Sequence, residues 1–293
     1  MTSKVRTTGV YPLILNNSNL VSGNANNNVY RYSFPAGACK FKKNSKIAVA
    51  SISMFYSWIN ISATNENNTY SIIQPTSTTP ATLTITMPDG FYSVAELNSY
   101  LQFALIAAGY YLIDSNGDYV YYCQFQTNSV LYAVEFDSFP IPTSLPASHT
   151  SGGMTFPAVS STPQLVVPST NIQYNLGFLA NTYPSITQST NYSAYSSFTP
   201  QITSIESMIV LCSLLRNTYS SPNTVLYAFS AGGSSYGDLI SSAPNQLSFV
   251  NIYPGQYPNF DITFVDQSFN ALPIKDTNLV IQLMVETEDE YND

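Results

Sequence analysis

Charged residues are scarce in this sequence. Only 9% of its 293 residues are Asp, Glu, Lys or Arg, whereas hydrophobic residues make up 44%. A disordered chain lacks the apolar side chains that form a core, so this composition argues against disorder. Few Lys and Glu residues also argue against exposed helices. The 23 Tyr residues and the many Thr residues favour strands, and abundant Asn and Ser favour turns, so the composition predicts an all-β protein.

Histidine and cysteine are also scarce, which argues against catalysis. The one histidine, His149, lies in a loop with no nucleophile suggested beside it, so we interpret it as incidental. The scattered cysteines Cys39, Cys123 and Cys212 are odd in number and lie in or beside strand-like segments. We expect buried, reduced thiols. No ligand spacing indicates a metal site, and no cofactor is expected.

Long apolar runs are missing too. No stretch approaches the ~20 uninterrupted apolar residues that span a bilayer, so we expect no membrane segment and no membrane partner. The sequence begins MTSKVRTTGVYPLIL, without an apolar core followed by a small-residue cleavage site. We therefore expect no signal peptide.

Two acidic patterns invite a functional interpretation. Residues 114–118, DSNGD, hint at a calcium loop, but Tyr119 stands where the EF-hand pattern requires Gly, and the closing Glu is absent. An Asn-Gly hairpin is the favoured interpretation. Glu135 and Asp137 have the spacing of a carboxylate pair, yet any sequence with seventeen acids offers such pairs. We therefore predict no catalytic residues.

Apolar alternation predicts strands near both ends of the chain. Tyr257–Glu286 reads as two strands joined by a turn, one around Phe260–Val265 and one around Leu279–Val285. Val29–Phe34 alternates in the same way, and Ile47–Trp58 is apolar on both faces, as in a central strand. Residues 1–28, with two Asn-rich runs, read as an arm or loop.

The middle of the chain reads differently. Ser93 and Glu96 form a capping box, which predicts one helix over Val94–Ala108. Six prolines in residues 138–170 exclude that stretch from a sheet interior. The strand count suits a β-sandwich or jelly roll, and the middle piece resembles an insertion. We predict a discontinuous sandwich domain, residues 1–58 and 171–293, with a mostly β insertion domain, 59–170, that contains the helix.

Basic residues are concentrated at the start of the chain. Residues 1–46 contain seven of the nine bases and no acid, while the two bases and seventeen acids that follow leave a net charge of −15. A patch of this kind can be a solvated loop, a contact with an acidic neighbouring subunit, or a contact with nucleic acid. Subunit contact is our preferred hypothesis, and nucleic-acid contact is not expected, because the bases form small groups on an acidic protein. The candidate interaction residues are Lys4, Arg6, Lys40, Lys42, Lys43 and Lys46.

Several segments resemble one known family. KVRTTGVYPLILNNSNLV, VYRYSFPAG, KNSKIAVASISMFYSWINI and MPDGFYSVAELNSYLQ are similar to penton (vertex) proteins of virophages and related polinton-like viruses, and so are TPQITSIESMIVLCSLLRNTYSSPNTVLYAF and DITFVDQSFNALPIKDTNLVIQLMVE. The resemblance covers most of the chain, with residues 138–170 the weakest part.

The resemblance implies a structural protein of the virion. It implies a single jelly roll with an inserted outer domain, homopentamers at the fivefold vertices of an icosahedral capsid, and a double-jelly-roll major capsid protein as neighbour. Assembly is expected in host cytoplasm or a viral factory. The alternative is a carbohydrate- or receptor-binding β-sandwich, and a β-fold hydrolase ranks third because there is one histidine and no metal-ligand spacing.

Overall fold

A computed structural model describes residues 6–203 and 205–290, and these residues are mostly β-strand. The elements follow one another along the chain as β1 Arg6–Leu15, β2 Val29–Ser33, β3 Cys39–Phe41, β4 Lys46–Phe55, β5 Thr69–Gln74, β6 Ala81–Thr86, α1 Val94–Ala107, β7 Leu112–Ile113, β8 Tyr119–Val120, β9 Cys123–Asn128, β10 Ala133–Ser138, β11 Thr150–Ser151, β12 Gln164–Val167, α2 Ile172–Leu176, β13 Asn181–Tyr183, β14 Tyr192–Tyr195, β15 Ser207–Cys212, β16 Val225–Ser230, β17 Leu239–Ser242, β18 Val250–Asn251, β19 Gly255–Tyr257, β20 Asn259–Asp266 and β21 Val280–Glu290.

The described residues divide into two compact units. The first contains residues up to Trp58 and from Ile205 onward, and the second contains residues 59–203. The second unit is therefore inserted between β4 and β15 of the first.

The first unit has the strand order of a jelly roll. One sheet runs β1-β21-β4-β17 and the other β16-β15-β20-β2. When the eight strands are counted along the chain, the first pairs with the eighth, the second with the seventh, the third with the sixth and the fourth with the fifth, all antiparallel. A long hairpin rolled into two sheets gives this pairing, which defines the jelly roll. The predicted all-β class is confirmed.

Each sheet buries one face. On β21, Ile281, Leu283 and Val285 are buried, whereas Val280, the residue before Ile281, is exposed on the opposite face. Phe260, Ile262 and Phe264 of β20 are buried in the same alternating way. Both strands were predicted from this alternation. They are not partners of each other, however, because β20 lies in one sheet and β21 in the other, so the segment between them crosses between sheets.

The expectation of an N-terminal arm is wrong for Arg6–Leu15. This segment forms β1, which pairs with β21 over ten residues. Leu13 lies opposite Leu283 and Leu15 opposite Ile281, and Leu15 is fully buried. Apolar residues on both faces of VYPLIL hide the two-residue period, which explains why alternation did not reveal the strand.

The second unit has its own core beneath helix α1. Val94, Leu97, Leu101 and Leu105 form the buried face of the helix. They pack with buried residues of β5, β9, β10 and β12, which belong to two sheets ordered β13-β12-β5-β6 and β14-β10-β9. Ser93 Oγ accepts the N–H of Glu96, and the Glu96 carboxylate accepts the N–H of Ser93, so the predicted capping box is present.

The predicted boundary at residue 170 needs correction, because residues 171–203 belong to the second unit. Ile172, Leu176 and Phe178 lie in its core, β13 pairs with β12, and β14 pairs with β10. The expectation that residues 138–170 stay outside sheets is also wrong for β12, which lies between β13 and β5. Pro163 and Pro168 flank this strand and leave its backbone N–H groups free to pair.

Replacing Leu101 with Ala tests the core of the second unit. Leu101 is fully buried, and a Leu→Ala change in a core costs about 2–5 kcal/mol because it removes apolar contacts and leaves a cavity. Phe103→Ala on the same helix is the control, since Phe103 is 62% exposed and surface changes cost about 0.5 kcal/mol or less. Chemical denaturation measures both, and equal losses would contradict this packing.

Candidate assembly surface

The residues considered for catalysis are not arranged as a catalytic site. His149 Nδ1 lies 3.0 Å from the carbonyl oxygen of Ala147 in its own turn. Asp114 Oδ1 accepts the N–H groups of Asp118 and Asn116 at 3.0 and 2.8 Å, which lowers the pKa of Asp114. These bonds form the turn between β7 and β8, so the hairpin interpretation is confirmed. No group of three or more His, Cys, Asp or Glu residues with metal-binding geometry occurs among the described residues.

Glu135 and Asp137 both lie on β10, in the middle of a three-stranded sheet. The Asp137 side chain is buried and accepts hydrogen bonds from Gln124 Nε2 at 3.2 Å, Gln126 Nε2 at 2.6 Å and Ser193 Oγ at 2.5 Å. Donors from both neighbouring strands therefore surround this carboxylate. Its arrangement ties the three strands together and offers no open side to a substrate.

All three cysteines are free thiols. Cys123 and Cys212 are buried, and desolvation raises the pKa of each thiol to about 12. Cys39 is half-buried, and desolvation raises its pKa as well. Because the thiolate is the reactive species, the two buried cysteines are inert at neutral pH.

Alkylation and alkaline denaturation test these thiols. We expect iodoacetamide to modify only Cys39 in the native protein at pH 8, as measured by mass spectrometry. The ordinary pKa of a thiol is 9.0, so above pH 9 the unfolded chain loses protons that the folded chain keeps until about pH 12. The contribution of both thiols to stability is therefore complete below pH 9 and falls from there towards pH 12. Fast native alkylation of Cys123 would contradict the burial.

The predicted basic residues lie in different places. Lys4 lies outside the described residues, and Arg6 is the first residue of β1, opposite Glu290 of β21. Lys40 is exposed on β3, Lys42 and Lys43 follow directly, and Lys46 begins β4. The structure therefore brings Lys40, Lys42 and Lys43 together in one short segment, while Arg6 lies on another strand.

Acidic residues of the same chain form ion pairs with two of the basic residues. Lys46 Nζ lies 3.3 Å from Glu286 Oε1 across β4 and β21. Arg31 makes a bidentate ion pair with Asp261, with distances of 2.7 and 2.9 Å between nitrogen and oxygen atoms. Subunit contact therefore need not be invoked for Lys46, and the hypothesis now applies to the exposed residues Lys40 and Lys43, since Lys42 is half-buried.

A second candidate surface carries apolar side chains on a sheet face where polar, solvated side chains would be expected. It is the outward face of the β1-β21-β4-β17 sheet, opposite the buried face. Lys46 and Glu286 form an ion pair on this face, and polar Gln282, Ser51, Ser53 and Ser241 lie between the apolar residues. The apolar members of this outward face are Val10, Pro12, Ile14, Ala48, Phe55, Leu239, Val280 and Met284.

Four apolar side chains on this outward face are about half exposed to solvent: Ile14 at 56%, Leu239 at 52%, Val10 at 47% and Val280 at 46%. Single exposed apolar side chains are normal, but a group of them on one sheet face is typical of an interaction surface. The sequence carries this signal in β1, which is apolar on both faces, whereas β4 directs Ser51 and Ser53 outward. Sequence reasoning interpreted residues 1–28 as an arm or loop and therefore missed the outward face.

Comparisons with known proteins add two solved structures. A crystal structure of the mavirus penton protein is 8% identical in sequence, covers 98% of this chain and 100% of its own, and has a TM-score of 0.44. A chain of the Sputnik virophage structure from cryo-electron microscopy is 10% identical, covers 96% and 97%, and has a TM-score of 0.39. No family model matches the sequence, and no curated protein matches it. With TM-scores below 0.5, the fold assignment rests on the strand order.

No helix in the described part of the chain is long and apolar enough to cross a lipid bilayer.

Proposed function

We propose that this chain is a penton protein, a structural protein that forms homopentamers at the fivefold vertices of an icosahedral capsid. The outward face of the β1-β21-β4-β17 sheet supports this proposal most directly, because a jelly roll with one buried face per sheet needs no apolar residues on the other. Covering that face with a neighbouring subunit removes Val10, Ile14, Leu239 and Val280 from water. The segments that resemble virophage pentons include β1, β4 and β21, which carry this face.

Both partners follow from the proposal. The outward face meets a different surface of a second copy of the chain, because a fivefold ring is built from heterologous, head-to-tail contacts between identical subunits that close on themselves. A stable contact buries about 1,200–2,000 Å² in total, which a four-stranded face with its rim can supply. The exposed side chains of Lys40 and Lys43 meet an acidic surface of the major capsid protein. In this role the protein is located in the virion and acts through contacts, without catalysis.

Replacing Ile14 with Asp tests the subunit contact. The unmodified protein is expected to have five times the mass of one chain by size exclusion with light scattering. Ile14→Asp is expected to give monomers, because burying an unpaired carboxylate costs several kcal/mol. Ile186→Asp is the control, as Ile186 is 76% exposed in the second unit.

Thermal unfolding of the Ile14→Asp monomer checks that it is folded. Val280→Asp, on the neighbouring strand, provides a second variant with the same expected result. A pentamer that survives both changes, or an unmodified protein that is monomeric at all concentrations, would contradict the proposal.

Changing Lys40 and Lys43 together to Gln tests the contact with the major capsid protein. We expect the variant to remain pentameric and to be incorporated into fewer vertices, because it lacks the charges that attract an acidic neighbour. Incorporation of the unmodified protein should fall as salt rises, since salt screens exposed charges. Quantitative mass spectrometry of purified capsids gives the ratio of the two proteins. Lys275→Gln is the control, and equal ratios for all three proteins would contradict the hypothesis.

A further inference from the structure

The second unit contains a polar pocket that the vertex role does not use. Its cavity volume is about 460 Å³, within the range of small-molecule sites. Three separate stretches supply its walls: residues 60–67, residues 171–175 and Gln201. All of them lie within the second unit.

Three asparagines form a fixed floor. Asn60, Asn67 and Asn175 are each only 5% exposed. Asn67 Nδ2 donates to the carbonyl oxygen of Asn60 at 2.7 Å and to Asn175 Oδ1 at 2.9 Å. Asn175 Nδ2 donates to the carbonyl oxygens of Asn60 and Gln201 at 3.3 and 3.1 Å. Because these amide donors are used inside the protein, the floor is rigid before any ligand arrives.

The rim has the opposite character. The side chains of Thr64, Asn65, Glu66 and Gln201 are exposed and make no hydrogen bond to any other residue in the described part of the chain. They present hydroxyl and amide groups, which both donate and accept hydrogen bonds, and a carboxylate, which accepts them. Asn171 holds this rim in place, since its N–H donates to the Glu66 carbonyl at 3.2 Å and its Nδ2 to the Asn65 carbonyl at 2.8 Å.

An aromatic ring completes the pocket. Tyr174 is 44% exposed, and its ring is supported by Phe198, with 6.0 Å between the centroids. A supported ring beside amides and a carboxylate offers an apolar surface for C–H groups and hydrogen bonds for hydroxyl groups. No Lys or Arg lines the pocket, and its one ionisable acid is Glu66. An anionic ligand would therefore be repelled, and an apolar ligand would leave the rim groups without partners.

We propose that this pocket binds a neutral saccharide, with one sugar ring stacked on Tyr174 and its hydroxyl groups hydrogen-bonded to Glu66, Thr64 and Gln201. The pocket is large enough for one or two sugar rings. This site does not depend on the vertex role, because every residue in it belongs to the inserted unit.

Titration with free sugars tests the proposal. The unmodified full-length protein is titrated with glucose, galactose, mannose, N-acetylglucosamine and N-acetylneuraminic acid, and binding is followed by saturation-transfer NMR and calorimetry. We expect at least one neutral sugar to bind and the anionic N-acetylneuraminic acid not to bind. Tyr174→Ala should weaken binding at least about tenfold, which corresponds to about 1.4 kcal/mol, and Gln201→Ala should weaken it measurably.

Two further variants keep the interpretation unambiguous. Tyr195→Ala is the matched control, since Tyr195 is 48% exposed in the same unit but does not line the pocket, and its affinity should be unchanged. Glu66→Gln preserves the side-chain shape and should reduce the discrimination against N-acetylneuraminic acid. The proposal is overturned if none of the neutral sugars binds, if the anionic sugar binds best, or if Tyr174→Ala and Tyr195→Ala have equal affinity. All of these results concern sugar binding, so they do not depend on whether the protein forms pentamers.

Discussion

Backbone hydrogen bonds on both edges of β21 join the two ends of the chain. On one edge β21 pairs with β1 over ten residues, and on the other it pairs with β4. These contacts also place Leu13, Leu283 and Val49 side by side on the inward face, where Leu283 and Val49 are buried. Because the jelly roll pairs its first strand with its last, the fold is complete only when the C-terminal strand β21 has paired with β1. The second unit, with its own core around Leu101 and Phe136, can be inserted between β4 and β15 without interrupting this pairing.

The same strands have a second apolar face, and this connects the fold to assembly. A strand that only needs to pack in a sandwich alternates between apolar and polar residues. In β1 and β21, Val10, Ile14 and Val280 break that rule on the outward face. The core does not require them, so a neighbouring subunit is the simplest physical reason for their presence. Charge agrees with this arrangement, since Lys46 and Glu286 neutralise each other on that face.

Local patterns predicted the elements that obey simple periods. Alternation identified β2, β20 and β21, and the Ser93–Glu96 capping box identified α1. The alternation pattern failed to identify β1, whose two faces are both apolar, and β12, which is bounded by prolines. The five-residue helix α2 is too short for a periodic signal, and without it residues 171–203 were assigned to the wrong unit. The saccharide pocket was beyond sequence reasoning, because Asn67, Asn175 and Gln201 meet only through folding, and an isolated Asn or Gln reads as loop.

The central claim is that the outward face of the β1-β21-β4-β17 sheet joins identical subunits in a ring. Single-particle cryo-electron microscopy of the isolated protein in solution tests it directly, since it shows both the symmetry and the buried surfaces. The account predicts five copies around one axis, with Ile14 and Val280 covered by the neighbouring subunit in every copy. A particle with a different number of subunits, or a pentamer in which this sheet faces solvent, would contradict it.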